Sequence, residues 1–463
     1  MSSFASLALK PELLANLTSL NYTEMTPIQA QSLPAILAGE DVIGEGKTGS
    51  GKTAAFGLGV LHHLDVKRFR IQTLILCPTR ELAEQVAGEL RKLARAIHNI
   101  KVLAICGGMP FGPQIGSLEH GAHIIVGTPG RIEEHLRKGT LKLDHLNNLV
   151  LDEADRMLDM GFQETLDTIL GYAPKNRQTL LFSATFPDQI ESIAKRVMRS
   201  PKRISVDSQH TNETITQVFY NVDDLPGNGE EQRLAAVQRL LCHARPTSAV
   251  VFCNTKRETQ AVADGLNAMG FSATALHGDL EQRERDQALV RFANKSVSVL
   301  VATDVAARGL DIEALDAVIN YQIARDSEVH THRIGRTGRA GQQGIASTLF
   351  SRKENFKLDR LKEAQGLVVD IQKLPDEKVL SAGPYKPAMT TLQIDGGKKQ
   401  KVRAGDILGA LTGKEGIEGK QVGKIQIMDN WAFVAVQSKV AADALSKMTH
   451  GKLKGRTFRA RLL

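Results

Sequence analysis

Two short stretches of this 463-residue chain hold residue types suited to phosphate chemistry. Residues 46–53 read GKTGSGKT, follow the apolar Asp41-Val42-Ile43 and open into a helical pattern. Gly46, Gly49 and Gly51 let successive backbone N–H groups wrap a phosphate chain, with Thr48 and Ser50 in the same loop. Lys52 is then a mobile point charge for the β and γ phosphates, and the Thr53 hydroxyl suits Mg2+. Residues 152–155 read DEAD and close the apolar run 149–151. Carboxylates at the C-terminal edge of a parallel sheet stand where such sheets bind ligands. Asp152 can therefore hold a metal through water, and Glu153 can orient and deprotonate an attacking water. Read together, the two stretches call for a nucleoside triphosphate and Mg2+.

The elements that would position these groups alternate in type. Short runs rich in β-branched residues at 73–77, 102–105, 124–126, 149–151 and 179–182 are separated by helical patterns, and the rhythm restarts after the polar stretch 207–214 with runs at 249–253, 273–277, 298–302, 317–320 and 346–350. Such alternation predicts two α/β domains with parallel sheets. The periodicity stops at 375–387, PDEKVLSAGPYKP, which suits an extended connector. Beyond it the pattern reads as strand 391–394, helix 404–411, strand 423–427, strand 431–436, helix 440–448 and strand 457–463. This βαββαβ order is the ferredoxin-like arrangement that RNA-recognition motifs use.

Composition bounds the function. A hydrophobic fraction of 42% with 24% charged residues is ordinary for a globular chain, and no window approaches a membrane span. No basic leader precedes a long apolar core, so a cytoplasmic chain is expected. Cys77, Cys106, Cys242 and Cys253 form no CxxC pair, which favours buried reduced thiols over zinc or disulfides. Residues 384–463 carry 15 Lys and Arg against 6 Asp and Glu, so nearly all of the +8 net charge belongs to the tail and points to a polyanion there.

GKTGSGKT, DEAD, Ser183-Ala184-Thr185 and residues 332–339, HRIGRTGR, together resemble the DEAD-box RNA helicase family. Between them fall TPIQ at 26–29, PTREL at 78–82, Gly107-Gly108, TPGR at 128–131 and ARGLD at 307–311, so the likeness runs from residue 1 to about 370. It implies two RecA-like domains, 1–207 and 213–372; the linker at 373–387 and the RRM-like domain at 388–463 rest on the pattern beyond them. It also implies roles. Gln29 reads adenine while Phe4 covers it; a Gln amide offers the donor and acceptor that adenine matches and guanine does not. Asp311 holds the ribose. Arg336 and Arg339 are arginine fingers for the γ phosphate. Thr79, Arg80, Gly108, Thr128, Arg131, Gly278, Thr303 and Arg308 contact RNA, and Ser183 and Thr185 couple the RNA and nucleotide sites. The implied activity is RNA-stimulated ATP hydrolysis that clamps and locally unwinds structured RNA. A non-catalytic ATP-gated RNA clamp or chaperone, and a DNA helicase, are the rival readings.

In the third domain, residues 429–436, DNWAFVAV, fit the RNP1 strand in part, with Trp431 and Phe433 at aromatic positions and Gln393 where RNP2 has a stacking ring. A second candidate surface is basic: Lys398, Lys399, Lys401 and Arg403, then Lys452, Lys454, Arg456, Arg459 and Arg461. Core plus basic tail is similar to a bacterial branch of the family whose tail directs it to large-subunit, 23S ribosomal RNA. The expected partner is therefore RNA, with no membrane and a monomeric chain.

Overall fold

The computed structural model describes residues 3–46, 49–186, 188–206, 215–307, 315–338, 343–366, 369–413 and 416–463. Seven parallel strands form the first domain: β1 (Val42–Glu45), β2 (Thr73–Leu76), β3 (Val102–Ile105), β4 (Ile124–Gly127), β5 (Asn148–Asp152), β6 (Gln178–Ser183) and β7 (Lys202–Ser205), in the order β3-β4-β2-β5-β6-β1-β7. The central strands are apolar on both faces because helices cover both, and two separate apolar clusters result, one around Phe56 and Phe182 and one around Leu149 and Leu151.

The second domain repeats the plan with β8 (Ile215–Asn221), β9 (Ala249–Cys253), β10 (Ala273–Leu276), β11 (Val299–Thr303), β12 (Ala317–Asn320), β13 (Gly344–Phe350) and β14 (Asp370–Gln372), in the order β10-β11-β9-β12-β13-β8-β14 and all parallel. The connector departs from an extended tether. Glu377–Ala382 is a 3-10 turn, Val379, Leu380 and Tyr385 pack on the second domain's core, and Tyr385 meets Phe271 edge to face at 5.9 Å.

The third domain has the expected order: β15 (Met389–Ile394), helix Ala404–Thr412, β16 (Val422–Ile427), β17 (Ala432–Gln437), helix Ala441–His450 and β18 (Ala460–Leu462), with the antiparallel sheet ordered β16-β17-β15-β18. Its core of Leu392, Ile394, Ile407, Leu411, Val434 and Met448 lies between sheet and helices. The four cysteines are buried free thiols, and burial pushes Cys106 up to about 12. No described helix is long and apolar enough to cross a membrane.

Candidate active site

Parallel register gathers the nucleotide residues at one sheet edge. Glu45 pairs with Ser183 and Asp152 with Phe182, so β1, β5 and β6 end together, and the Gly46 N–H donates to the Ser183 carbonyl at 3.0 Å. The loop after β1 turns through Gly49 (φ +87°) and Gly51 (φ +93°) into the helix Lys52–His63. Gly51 is needed twice: its φ is left-handed, and a Cβ there would lie 2.5 Å from Gln29 Nε2. Lys52 is buried and folds back to donate from Nζ to the Gly46 carbonyl at 2.5 Å. Ser50 Oγ is buried with no partner among the described residues. A helix N-terminus, a lysine lying across its loop and an orphaned hydroxyl form a cradle that fits a phosphate chain.

Gln29 is fixed to this loop. Its Oε1 accepts from the Thr26 N–H at 2.9 Å, and its Nε2 donates to the Gly51 carbonyl at 3.1 Å. Phe4 lies deeper, in the first domain's apolar cluster with Ile28, and stacks on Tyr22 at 6.4 Å. Thr48 falls outside the described residues.

Asp152, Glu153, Asp155 and Arg156 are all buried where β5 gives way to the short helix Ala154–Asp159. Glu153 makes the junction in the left-handed region, φ +51°, an uncommon place for a glutamate. Burial lifts the Asp152 carboxyl well above the ordinary carboxylate range; the Glu153 charge adds to the rise, and Lys52 and Arg156 oppose it. Asp155 is a hub. Its Oδ2 accepts from the Ala184 N–H (3.2 Å), the Thr185 N–H (3.0 Å) and the Thr185 hydroxyl (3.0 Å), its Oδ1 accepts from the Arg156 N–H (3.0 Å), and its own N–H donates to Ser183 Oγ (3.3 Å). Burial raises the Asp155 carboxyl, but Arg156, Lys52 and the bonds from Ser183 and Thr185 outweigh it and leave it below its ordinary value. Among the described residues no cluster of three or more His, Cys, Asp and Glu could hold a metal unaided, so a cation at Thr53 and Asp152 would draw its other ligands from phosphate and water.

Several expected RNA contacts have local duties as well. Thr79 caps the helix Arg80–Leu93, its hydroxyl accepting from the Leu82 N–H, and Thr128 Oγ1 accepts from the Gly107 N–H. Gly108 turns at φ +74°. Arg131 is clamped: Nη1 donates to the Met109 carbonyl and to Gln114 Oε1, both at 2.8 Å, and Nε meets Glu134 at 3.1 Å. In the second domain Gly278 is exposed and Thr303 ends β11. Arg336 is buried in the turn after the helix Ser327–Ile334. Arg308, Asp311 and Arg339 lie outside the described residues.

Sequence reasoning gave no role to three groups that organise the site. Asp155 was one acid among several, and its partners lie 28 to 30 positions away. Arg156 pairs with Glu153. Arg333 grips Asp304 with two bonds, 2.6 and 2.8 Å, and reaches Asn254 Oδ1 at 2.7 Å, anchoring the helix that presents Arg336. The usable signal for Arg333 was its place in an arginine series at a helical position, where a buried partner is expected.

The third domain's two candidate surfaces differ in access. On the sheet face, Thr391, Gln393 and Phe433 are at most 1% exposed. The second domain covers them: Gln287 donates to Gln393 at 3.0 Å, Asn294 to Thr391 at 3.1 Å, Ser296 lies 2.6 Å from Thr391, and Arg283 sits over the Trp431 ring at 5.6 Å. The basic residues stay exposed, and Lys454 Nζ joins the two clusters by donating to the Lys401 carbonyl and pairing with Asp406, each at 3.0 Å.

Two parallel-sheet domains in tandem, the first with a phosphate cradle and acidic strand end, define a two-domain nucleoside triphosphatase. Family models agree in detail: residues 26–193 match the DEAD/DEAH box helicase domain, 232–341 the helicase conserved C-terminal domain, and 391–462 the DbpA RNA binding domain. The chain is 53% identical to ATP-dependent RNA helicase DbpA of Escherichia coli strain K12 over the full length of both, and 43% identical to DEAD-box ATP-dependent RNA helicase CshA of Geobacillus kaustophilus over 81% of this chain and 79% of that one. Among solved structures, Saccharomyces cerevisiae Dbp5 bound to RNA and ADP BeF3 superposes with a TM-score of 0.73 at 28% identity, over 82% of this chain and all of that one. The chain belongs to the DEAD-box family of ATP-dependent RNA helicases and carries a DbpA-type RNA-binding domain.

Proposed function

We propose that this helicase acts in the cytoplasm, as a monomer, on 23S ribosomal RNA during assembly of the large ribosomal subunit. Its third domain chooses the site, and its two ATPase domains clamp and locally part the RNA. The observation that carries this reading is the division of labour in the third domain: the sheet face is spent on docking to the second domain, and the joined basic edge of Lys398, Lys399, Lys401, Arg403 and Lys454 is exposed. Positive charge supplies affinity for phosphates, and a fixed mount supplies register and raises the effective concentration of the catalytic domains at that RNA.

In this reading the cradle at Gly46, Thr48, Gly49, Ser50, Gly51 and Lys52 binds the triphosphate of ATP, with Phe4 and Gln29 at the adenine and Asp311 at the ribose. Thr53 and Asp152 hold Mg2+, which would neutralise charge on the phosphates. The buried Asp152 carboxyl, raised by burial with the Glu153 charge adding to the rise, offers the hard oxygen that would suit such a cation. Glu153 takes the proton of the attacking water, Arg336 and Arg339 act as fingers, and Ser183 and Thr185 relay RNA binding through Asp155. The test compares ATP turnover stimulated by 23S fragments, random RNA and DNA of equal length; equal stimulation by all three would overturn the assignment.

A further inference from the structure

We infer that Arg156 is a positioning residue that holds the Glu153 carboxylate idle in the resting enzyme and releases it when the Ser183–Thr185 segment moves. The inference rests on the reading of Glu153 as the base.

Three observations converge on this side chain. First, Arg156 Nη1 lies 2.6 Å from Glu153 Oε2, and the two side chains are 2% and 5% exposed. A charge-assisted bond this short in a dry site is strong, and a lone pair engaged by a guanidinium cannot accept a proton from water. When water attacks the γ phosphorus, the bond to the β–γ bridging oxygen breaks and a water proton passes to the Glu153 carboxylate. The guanidinium occupies Oε2 and, through its charge, lowers the basicity of the whole carboxylate, so release of Nη1 makes Glu153 the better proton acceptor.

Second, Arg156 Nε and Nη2 are buried without a partner among the described residues. A guanidinium carries five N–H donors, and burying two of its nitrogens unpaired is unfavourable. The resting packing is therefore not the one that best satisfies this arginine. A rearrangement that offers acceptors to Nε and Nη2 would draw it away from Glu153.

Third, a lever reaches it. The Asp155 carboxylate binds the Ala184 and Thr185 N–H groups with one oxygen and the Arg156 N–H with the other. Displacement of the Ser183–Thr185 segment thus pulls on the peptide that carries the guanidinium. Glu153 itself, at φ +51°, sits in a backbone state that glutamate adopts only under constraint.

The experiment measures ATP turnover of the full chain with and without saturating RNA in Arg156→Met, which keeps the apolar stem, Arg156→Lys, which keeps the charge, and Arg156→Met combined with Glu153→Gln; thermal unfolding checks each variant. The expected result for Arg156→Met is an RNA-independent kcat raised roughly tenfold, the KM for ATP within about twofold of wild type and a smaller RNA-stimulation ratio. Arg156→Lys should stay close to wild type, and the gain should vanish in the double variant. An RNA-independent kcat that is unchanged or lower overturns the inference. If Arg156→Met does not fold, Arg156→Gln is read by the same criteria. A Glu153→Gln chain hydrolysing at the wild-type rate would remove the base assignment itself, whereas an inactive Glu153→Gln beside an unaltered Arg156→Met would remove only the restraint.

Discussion

Replacing one oxygen of the Glu153 carboxylate by nitrogen keeps its shape and removes its basicity. Glu153→Gln should retain ATP binding, since Lys52 and the loop at 46–53 are untouched, and should slow hydrolysis by orders of magnitude. Single-turnover hydrolysis measured beside fluorescent-nucleotide binding checks this; a normal rate means that another group takes the proton. The same logic separates the arginines. Arg333 has its guanidinium committed to Asp304 and Asn254, so its loss should unfold the local helix, whereas Arg336 is assigned to the transition state. Arg336→Ala is expected to lower RNA-stimulated kcat by about 10³ with little change in ATP affinity. Weakened ATP binding at an intact kcat would place Arg336 in the ground state instead.

At the scale of elements, the helix Ser327–Ile334 carries a pH dependence of its own. His330 is fully buried, stacks on Phe219, and has Nε2 3.0 Å from Gln217 Oε1; burial lowers it to about 4, with Arg333 adding to the effect. A histidine depressed in the fold and near 6.5 when unfolded takes up its proton first in the unfolded chain. Its contribution is nil above pH 6.5 and becomes destabilising as pH falls toward 4, reaching about 3 kcal/mol. Urea unfolding of the second domain at pH 7.5 and pH 5 should show about 2 kcal/mol of that loss, and His330→Gln should flatten it. The strands were legible in the sequence to different degrees. Residues 249–253 and 317–319 stand out because these strands are buried on both faces and every position is apolar. The edge strands β7 and β14 were missed because solvent on one side removes the need for an apolar run; three of four residues of β7 and all three of β14 are exposed. β8, next to that second edge, was missed with them. Gly49 and Gly51 in the phosphate loop were legible because the turn demands left-handed backbone there. The Asp155 hub was not, because its partners are brought close by the pairing of β5 with β6, which spacing along the chain does not reveal.

For the whole molecule, the least legible feature was the docking of the third domain, since Thr391 and Gln393 alternate with apolar residues as an exposed face would. The hydrogen bonds across the covered surface are polar, Gln287, Asn294 and Ser296 against Gln393 and Thr391, while Tyr385 packs on Phe271, so a truncation that keeps Tyr385 and removes residues 388–463 should leave the remaining core folded. That core, with its ATP-site motifs intact, should hydrolyse ATP with generic RNA and lose its preference for 23S fragments. Neutralising Lys398, Lys399, Lys401 and Arg403 to Gln in the full chain should reproduce part of the loss while the docked face stays in place. It should also flatten the salt dependence of RNA binding, each lost phosphate contact lowering the slope by about 0.7 to 0.9. Trp431→Ala removes the ring beneath Arg283 and serves as the opposing case: if it abolishes 23S preference while the four neutralised positions do not, bases reach the sheet face after all. An unchanged ratio of 23S to random RNA stimulation after truncation would mean that the tail's charge is a solvated surface and that selection resides in the ATPase domains.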